Sequence, residues 1–256
     1  MKSVGIDVGS TTTKAVVLDG AEIRAVVIRP SGALPAQTGE EVFRAALAEG
    51  GLAEADVDVV ATTGYGRRLV DLGDVVMTEI KACAAGVRFL EANDKEGRAS
   101  TESADSIRTV IDVGGQDTKV IGLTDAGEVA DFSMNDKCAA GTGRFLEMLA
   151  DKLGLAYEAF AAEALKSTKP LQMSSTCAVF AESEVIGLLA RGEERADIAS
   201  AAHHAIASRI ASMVRRTGGQ AAYGFAGGGA HNTALVEAVG EALNAPVRVL
   251  ARPQAV

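Results

Sequence analysis

The sequence IDVGSTTTK at residues 6–14 returns as IDVGGQDTK at residues 111–119. The offset is 111 − 6 = 105 residues, and seven of fourteen positions are identical between 6–19 and 111–124. Each copy predicts an apolar strand, a turn of glycine and hydroxyl or amide residues, and a second apolar strand. The chain therefore contains the same strand–turn–strand unit twice, once at the start of each half.

A buried strand that ends in Asp-x-Gly and turns back is suited to phosphate binding. The glycine lets the backbone approach an anion closely, and the N–H and hydroxyl groups that follow are hydrogen-bond donors. The aspartates, Asp7 and Asp112, supply the oxygen ligands that Mg²⁺ prefers. Two such hairpins in one chain indicate a cleft in which two related halves hold one nucleotide.

The composition excludes several other classes of protein. A chain of 256 residues with 48% hydrophobic residues has enough material for one large domain or two small ones. Its net charge of −9 argues against a nucleic-acid surface and against an anionic membrane surface. No apolar run is long enough for a transmembrane helix, and the N-terminus enters a strand rather than a signal peptide. Three widely spaced cysteines are not a secreted disulfide framework, so we expect a cytoplasmic protein.

Hydrophobic periodicity predicts an α/β plan in each half, with mixed sheets and helices on both faces. The strands predicted for the first half are Val4–Val8, Thr13–Leu18, Ile23–Ile28, Val57–Thr62 and Val75–Glu79, with helices at Gly39–Glu49 and Ile80–Glu91. The strands predicted for the second half are Thr109–Val113, Lys119–Leu123, Glu128–Phe132, Ala221–Ala226 and Val247–Leu250, with helices after Cys138 and at Ala234–Leu243.

The domain prediction follows from this repetition. Residues 1–92 form the N-terminal lobe and residues 109–256 the C-terminal lobe. The polar stretch 93–108 between them is expected to be a solvated linker. A mostly helical insertion at about 157–218 is expected within the second lobe. The helix Ala201–Arg216 carries His203 and His204, which we expect to be exposed side chains.

Cys138 and Cys177 each follow polar, cap-forming residues and precede an apolar-periodic stretch. Both are therefore predicted at helix N-termini, where the helix dipole stabilises negative charge. Their spacing of 177 − 138 = 39 residues matches no local metal motif. Two buried structural cysteines are one interpretation. The other is a [4Fe–4S] cluster that takes two cysteines from each subunit of a symmetric dimer. Cys83 lies on an apolar helix face and is predicted to be a core residue.

Together these residues resemble the activator ATPases of 2-hydroxyacyl-CoA dehydratases, in the BadF/BadG/BcrA/BcrD ATPase family that also contains ATPase subunits of benzoyl-CoA reductase. The resemblance covers nearly the whole chain, and the two cysteine segments are its most specific part. The matching stretches are GIDVGSTTTKAVVLD (5–19), TGYGR (63–67), IDVGGQDTKVI (111–121), MNDKCAAGTGRFLE (134–147), STCAVFAESEVIGLLARG (175–192) and FAGGGAHN (225–232).

The resemblance implies a duplicated actin/Hsp70/acetate and sugar kinase fold of the ribonuclease H-like type, with ATP or ADP bound between two lobes. Asp7 and Asp112 would hold Mg²⁺ through waters, and Gln116 or Glu79 would orient the attacking water. A glycine-rich turn near the end of the chain would contact adenosine. The implied nucleotide contacts are Gly9, Ser10, Thr11, Thr12, Thr13, Lys14, Gly114, Gly115, Gln116, Asp117, Gly227, Gly228, Gly229 and Ala230. For Lys14 and Lys119, a solvated strand end is the alternative role.

The resemblance also implies the redox partners. One [4Fe–4S] cluster would lie at the interface of a homodimer, on Cys138 and Cys177 of each subunit. ATP hydrolysis would drive transfer of one electron to the iron–sulfur component of a 2-hydroxyacyl-CoA dehydratase, with ferredoxin or flavodoxin as the electron donor. The chain departs from the family pattern at Cys83, where histidine is expected. It also stops at Val256, where relatives continue through a glycine- and alanine-rich helix.

Other functions remain open at this point. The ATPase subunit of a benzoyl-CoA reductase-type complex would share every site motif, so only the partner separates it from a dehydratase activator. A heterodimer with a sister ATPase subunit is also open. An iron-free kinase-like phosphotransferase would need a phosphoryl acceptor pocket and would not depend on Cys138 or Cys177. An actin- or Hsp70-like ATPase would move its partners without a redox centre.

Overall fold

In a computed structural model, residues 1–93, 106–173 and 177–256 are described. The chain divides into two compact units, Met1–Ala104 with Ala255–Val256, and Asp105–Gln254. The first unit contains, over its described residues, the strands β1 (Lys2–Val8), β2 (Thr12–Asp19), β3 (Glu22–Pro30), β4 (Val59–Thr63) and β5 (Val75–Val76), and the helices α1 (Pro35–Gly50) and α2 (Glu79–Asn93). Most of the predicted linker 93–108 lies outside the described residues, and the domain boundaries stay a prediction.

The second unit repeats the strands of the first and adds helices. Its strands are β6 (Thr109–Val113), β7 (Thr118–Leu123), β8 (Val129–Asn135), β9 (Tyr223–Ala226) and β10 (Val247–Val249). Its α-helices, over the described residues, are α3 (Gly143–Lys152), α4 (Tyr157–Ala164), α5 (Ala178–Ala190), α6 (Arg195–Arg216) and α7 (Thr233–Leu243). Short 3₁₀ turns occur at Glu54–Asp56, Gly228–His231 and Pro253–Ala255. No described helix combines the length and the apolarity needed to cross a membrane.

The two sheets have the same topology. The strand order is β3-β2-β1-β4-β5 in the first sheet and β8-β7-β6-β9-β10 in the second. In both, the first three strands are antiparallel neighbours and the last two run parallel to the central strand. The duplication predicted from the repeated motif is therefore confirmed at the level of the whole sheet.

Burial patterns explain why these segments form strands and helices. Val4, Ile6 and Val8 alternate toward the core on β1, as period-two apolar residues do in a half-buried strand. On α1, Val42, Phe43, Ala46 and Leu47 recur at helical spacing and cover the first sheet. The strands β6 and β7 are buried on both faces, and the helices of the second unit pack against the face that carries Ile111, Val113 and Val120.

Several predicted strands had wrong boundaries, among them Glu128–Phe132, observed as Val129–Asn135, and Ala221–Ala226, observed as Tyr223–Ala226. Two others show the physical reason. The segment predicted as strand Val75–Glu79 is a strand only at Val75–Val76, and Glu79 is the first residue of α2. The strand predicted at Val57–Thr62 runs from Val59 to Thr63, because a 3₁₀ turn ends just before it. Short apolar runs fit a strand or the edge of a helix equally well, so periodicity alone places their ends poorly.

Candidate functional site

The first hairpin places an aspartate and a lysine opposite each other at the end of β1. Asp7 pairs with Lys14 across β1 and β2, and Lys14 Nζ donates to Asp7 Oδ2 at 2.6 Å. Gly9 follows in the turn, where a Cβ would lie only 2.6 Å from the Thr12 carbonyl oxygen. The alternative role of Lys14 as a solvated strand end was wrong, because its ammonium group is held at the aspartate.

Ser31, the residue after β3, fixes the shape of that turn. Its Oγ donates to the Gly9 carbonyl at 2.6 Å and lies 2.8 Å from Thr13 Oγ1, and its backbone N–H donates to the Thr11 carbonyl at 3.0 Å. Ser31 is 1% exposed. Sequence reasoning missed Ser31, since a serine after a strand has no signature that separates it from an ordinary turn residue.

The second hairpin repeats the charge arrangement with one more carboxylate. Lys119 Nζ lies 2.7 Å from Asp117 Oδ1 and 3.5 Å from Asp112 Oδ2, and Lys119 is buried. A Cβ on Gly114 would lie 2.7 Å from Asp117 Oδ1 and 3.2 Å from the Asp117 carbonyl oxygen, so the hairpin leaves little room for a side chain there. The solvated alternative for Lys119 was also wrong.

The second hairpin is fixed by the segment that precedes α3. Thr118 Oγ1 donates to the Gly141 carbonyl at 2.6 Å. The N–H of Gly143 donates to the Gly114 carbonyl at 2.9 Å, and the N–H of Arg144 donates to the Gly115 carbonyl at 2.9 Å. Thr118 is the duplicate of Thr13, so in each half the same threonine ties the hairpin to a third segment.

A glycine turn follows the parallel strand beside each hairpin. Gly64 has φ +90° and Gly227 has φ +80°, which are left-handed conformations that favour glycine. A Cβ at Gly64 would collide with Asp7 Oδ1 and the Val8 carbonyl, and one at Gly227 would collide with Asp112 Oδ1 and the Val113 carbonyl. The turn after β4 and the turn after β9 are therefore counterparts, an equivalence that the shared G-x-G spacing could have shown.

Three buried threonine hydroxyls in the described part of the first unit have no hydrogen-bond partner: Thr62 Oγ1, which lies beside Gly73, and two that lie near Asp7 and the hairpin turn. Within the described part of the chain, Thr11 Oγ1 and Thr63 Oγ1 are buried and have no hydrogen-bond partner. Thr11 lies in the hairpin turn, and Thr63 pairs with Asp7 across the parallel strands β1 and β4. Unpaired buried hydroxyls are costly, so a phosphate oxygen or a metal-bound water at this position would satisfy them.

The remaining predicted catalytic residues lie on different elements. Gln116 is exposed in the turn of the second hairpin, and Glu79 is half-buried at the start of α2. The glycines Gly227–Gly229 lie between β9 and α7, and Ala230 is buried in the same 3₁₀ turn. Their roles toward a nucleotide stay predictions.

The two cysteines lie in different local structures. Cys177 has extended backbone at the N-cap of α5, so its predicted position at a helix N-terminus is confirmed. Cys138 lies in the loop between β8 and α3, five residues before the helix begins at Gly143, so the same prediction was wrong for Cys138. Asn135 explains this loop, because its Nδ2 donates to the carbonyls of Cys138 and Ala140 at 3.0 Å each.

None of the three cysteines forms a disulfide, and two of the three thiols are accessible. Cys138 and Cys177 are half-buried in the second unit, whereas Cys83 is buried in α2, as predicted for a core residue. Val179 and Phe180, just after Cys177, are both 67% exposed. Across residues 1–93, 106–173 and 177–256, no group of three or more His, Cys, Asp or Glu side chains is arranged to hold a metal ion.

The prediction for the histidines was half wrong. His204 is exposed, but His203 is 1% exposed on α6 and packs against Phe160. Burial lowers the pKa of His203. The residues around His203 and His204 are mostly alanine, so the helix has no distinct apolar face in the sequence. The sequence therefore does not show which of the two histidines is buried.

Comparison with known proteins identifies the family. The family model described as the BadF/BadG/BcrA/BcrD ATPase family matches residues 4–254. The chain belongs to this family. Component A of the (R)-2-hydroxyglutaryl-CoA dehydratase of Acidaminococcus fermentans is 36% identical, with a TM-score of 0.88 over 99% of this chain and 93% of that chain. The predicted fold class is thereby confirmed.

Two further relatives bear on function. The activator of the 2-hydroxyisocaproyl-CoA dehydratase from Clostridium difficile, solved with bound ADPNP, is 37% identical with a TM-score of 0.86, over 99% of this chain and 90% of that chain. A benzoyl-CoA reductase subunit of Thauera aromatica is more distant, at 29% identity over 84% of this chain and 73% of that protein.

Proposed function

We propose that this BadF/BadG/BcrA/BcrD family ATPase activates a 2-hydroxyacyl-CoA dehydratase by coupling ATP hydrolysis to the transfer of a single electron. The observation that carries the proposal is the direct hydrogen bonding between the second hairpin and the segment that contains Cys138. Thr118, Gly114 and Gly115 all bond to residues 141–144, which begin three residues after that cysteine. A change at the hairpin therefore reaches the thiol through a short run of backbone.

The hairpins supply what phosphate transfer to water requires, namely positioning and charge neutralisation. Asp7 and Asp112 would hold Mg²⁺ through waters, and that ion would neutralise the phosphate charge. The lysines beside both aspartates limit the negative charge at the strand ends. The N–H groups of Gly9–Thr12, Gly115 and Gln116 would donate to the phosphates, whereas the N–H of Gly114 already donates to the Asp117 carbonyl at 2.9 Å. The buried hydroxyls of Thr11 and Thr63 fit such a ligand. Gln116 or Glu79 orients the attacking water.

Cys138 and Cys177 would hold the iron–sulfur cluster. A [4Fe–4S] cluster usually takes four cysteine ligands, and these two accessible thiols supply half of them. A homodimer with its two-fold axis between the cysteines supplies the other half. Exposed Val179, Phe180 and Ile186 on α5 fit this arrangement, since they give the helix that starts at Cys177 an apolar surface for a second copy. When bound, the cluster would supply a low-potential one-electron carrier.

The proposed partners follow from that chemistry. The electron acceptor would be the iron–sulfur component of a 2-hydroxyacyl-CoA dehydratase, and the donor would be ferredoxin or flavodoxin in the cytoplasm. The activators from Acidaminococcus fermentans and Clostridium difficile support the acceptor, because each is an activator or component of a 2-hydroxyacyl-CoA dehydratase and matches this chain over nearly its full length.

The test is reconstitution without oxygen. The chain is mixed with the subunits of a 2-hydroxyacyl-CoA dehydratase, a chemical reductant and Mg-ATP, and dehydration of the acyl-CoA is followed. We expect activation that requires both ATP and this chain, fails with ADPNP, and fails with Asp112→Asn. If the chain hydrolyses ATP but dehydration proceeds equally well without it, the proposal is contradicted.

The ATPase subunit of a benzoyl-CoA reductase-type complex is the second candidate, and the match to the Thauera aromatica protein favours it. The lower identity and coverage of that match rank it below the dehydratase activator. Such a subunit would work within a larger complex. Isolation of the chain from its own cells with stably bound reductase subunits would favour this second function.

A further inference from the structure

His203 is a buried polar residue that neither hairpin nor cysteine segment uses. It lies on α6, is 1% exposed, and its ring packs against Phe160 with ring centroids 4.8 Å apart. Its Nδ1 lies 2.7 Å from the Ala199 carbonyl oxygen, and its Nε2 lies 3.0 Å from Asn232 Nδ2. Both ring nitrogens therefore have a defined partner.

These partners determine the protonation state of the ring. Asn232 Oδ1 accepts from the N–H of Leu235 at 2.9 Å, so the amide Nδ2 must be the group that faces His203. Because Nδ2 only donates, Nε2 of His203 must accept and carries no proton. Because the Ala199 carbonyl only accepts, Nδ1 must carry the proton. His203 is therefore neutral, in its Nδ1–H form.

Asn232 connects this histidine to the glycine turn. Its backbone N–H donates to the Gly229 carbonyl at 3.0 Å, which closes the 3₁₀ turn Gly228–His231, and its side chain caps the N-terminus of α7. At the other end of the turn, the N–H of Gly227 donates to the Pro253 carbonyl at 2.8 Å. Within the turn, the N–H of Ala230 donates to the Gly227 carbonyl at 3.2 Å. The glycines have no side chains to hold their conformation, so the bonds at the two ends help to fix the turn.

We propose that His203 is a positioning residue for the adenosine-binding turn Gly227–Gly229: it fixes the Asn232 amide and thereby the end of the turn. The inference rests on the proposed function and on the contact between this turn and adenosine that the family resemblance implies. On this proposal, His203 on α6 contributes to nucleotide affinity through Asn232, without contacting the glycines of the turn.

The test compares two substitutions at His203 with one at its neighbour. His203→Leu keeps an apolar side chain of similar size but removes the acceptor for Asn232, whereas Oε1 of His203→Gln can accept in place of Nε2. Phe160→Leu disturbs the packing around the ring and leaves the Asn232 bond intact. The dissociation constant of a fluorescent ADP analogue and the melting temperature are measured for each.

We expect His203→Leu to weaken ADP binding about tenfold, which corresponds to one lost hydrogen bond in a buried site. His203→Gln should stay within about threefold of the wild type, and Phe160→Leu should lower the melting temperature without weakening binding. Equal weakening by His203→Leu and Phe160→Leu would make the effect one of general stability and overturn the inference. Unchanged binding in His203→Leu would overturn it too. A wild type that does not bind ADP would overturn the proposed function as well.

A second measurement needs no substitution and so does not depend on a variant that folds. The chain has three histidines, so selective ¹⁵N labelling of histidine gives few signals. We expect the His203 ring in its neutral Nδ1–H form at pH 7, with the Nε2 resonance changing when ADP is added. An Nε2–H or doubly protonated ring, or an Nε2 resonance indifferent to saturating ADP, would overturn the inference.

Discussion

Ser31 holds the first hairpin of the candidate site, although it belongs to neither copy of the repeated motif. Its hydroxyl and its backbone N–H contact the hairpin at Gly9, Thr11 and Thr13, and the hydroxyl is buried. In the second half, backbone groups of residues 141–144 form the hydrogen bonds that hold the hairpin. The duplicated hairpins are thus held by different chemistry, a side chain in one half and a backbone segment in the other.

Ser31→Ala should therefore impair ATP hydrolysis. The Gly9 carbonyl and the Thr13 hydroxyl lose their partner, at a cost of about 1–3 kcal/mol in the free energy of unfolding. We expect kcat/KM for ATP to fall roughly tenfold, because the turn loses its fixed shape. Steady-state ATPase kinetics and chemical unfolding measure the two effects.

Thr38→Val is the matched control for this change. Thr38 Oγ1 donates to the Ser31 carbonyl at 3.0 Å but has no bond to the hairpin turn. It should show a similar loss of stability with kcat/KM close to that of the wild type. If Ser31→Ala and Thr38→Val have the same kcat/KM, Ser31 supports the fold and has no specific effect on the turn.

The two glycine turns show how a strand end is shaped for close approach. Gly64 and Gly227 occupy left-handed backbone directly against Asp7 and Asp112, each of which is the next-to-last residue of the neighbouring strand. A side chain at either position would occupy the place of a carboxylate oxygen and of a backbone carbonyl. The turns therefore let the aspartate remain at the strand end, accessible to a ligand.

Gly227→Ala should be far more damaging than alanine at an unobstructed glycine. We expect it to cost about 3 kcal/mol in the free energy of unfolding, because left-handed strain adds to the collision with Asp112 and Val113. Gly154 is the control, since it has φ +67° but nothing within 4 Å of the place where a Cβ would lie. Gly154→Ala should cost about 1 kcal/mol from backbone strain alone. If denaturant unfolding shows the same loss in the free energy of unfolding for Gly227→Ala and Gly154→Ala, the structure relieves the collision at Gly227 and the collision has no energetic cost.

The hydrophobic periodicity of the sequence was sufficient to predict most strands and helices. It failed where contacts between residues distant in the sequence determine the local structure. Alternating apolar residues predicted β1, β2, β6 and β7, and the repeat predicted that the two sheets match. Cys138 and Cys177 follow similar sequence, yet only Cys177 caps a helix, because Asn135 holds the Cys138 loop. The buried His203 packs against Phe160 and bonds to Asn232, which lies 29 residues away along the chain. Contacts of that kind leave no periodic signal.

The described part of the chain combines a duplicated scaffold with helices that are added to the second unit. The sheets with their hairpins and glycine turns occur in both units. The accessible cysteines occur in the second unit, one before α3 and one at the start of α5. An iron-free kinase or a mechanical ATPase would need the scaffold but not these thiols, so the proposed coupling depends on what the cysteines bind.

The most direct test of the proposed coupling is therefore to measure iron, acid-labile sulfide, oligomeric mass and ATPase activity on protein purified without oxygen. The wild type should contain about four irons and four sulfides per dimer. Cys138→Ser and Cys177→Ser should lose them and still bind ATP, while Cys83→Ser, the buried control, should keep them. Asp112→Asn should keep the iron and lose ATP hydrolysis. An iron-free wild type that still hydrolyses ATP, or a full iron content in Cys177→Ser, would contradict the account.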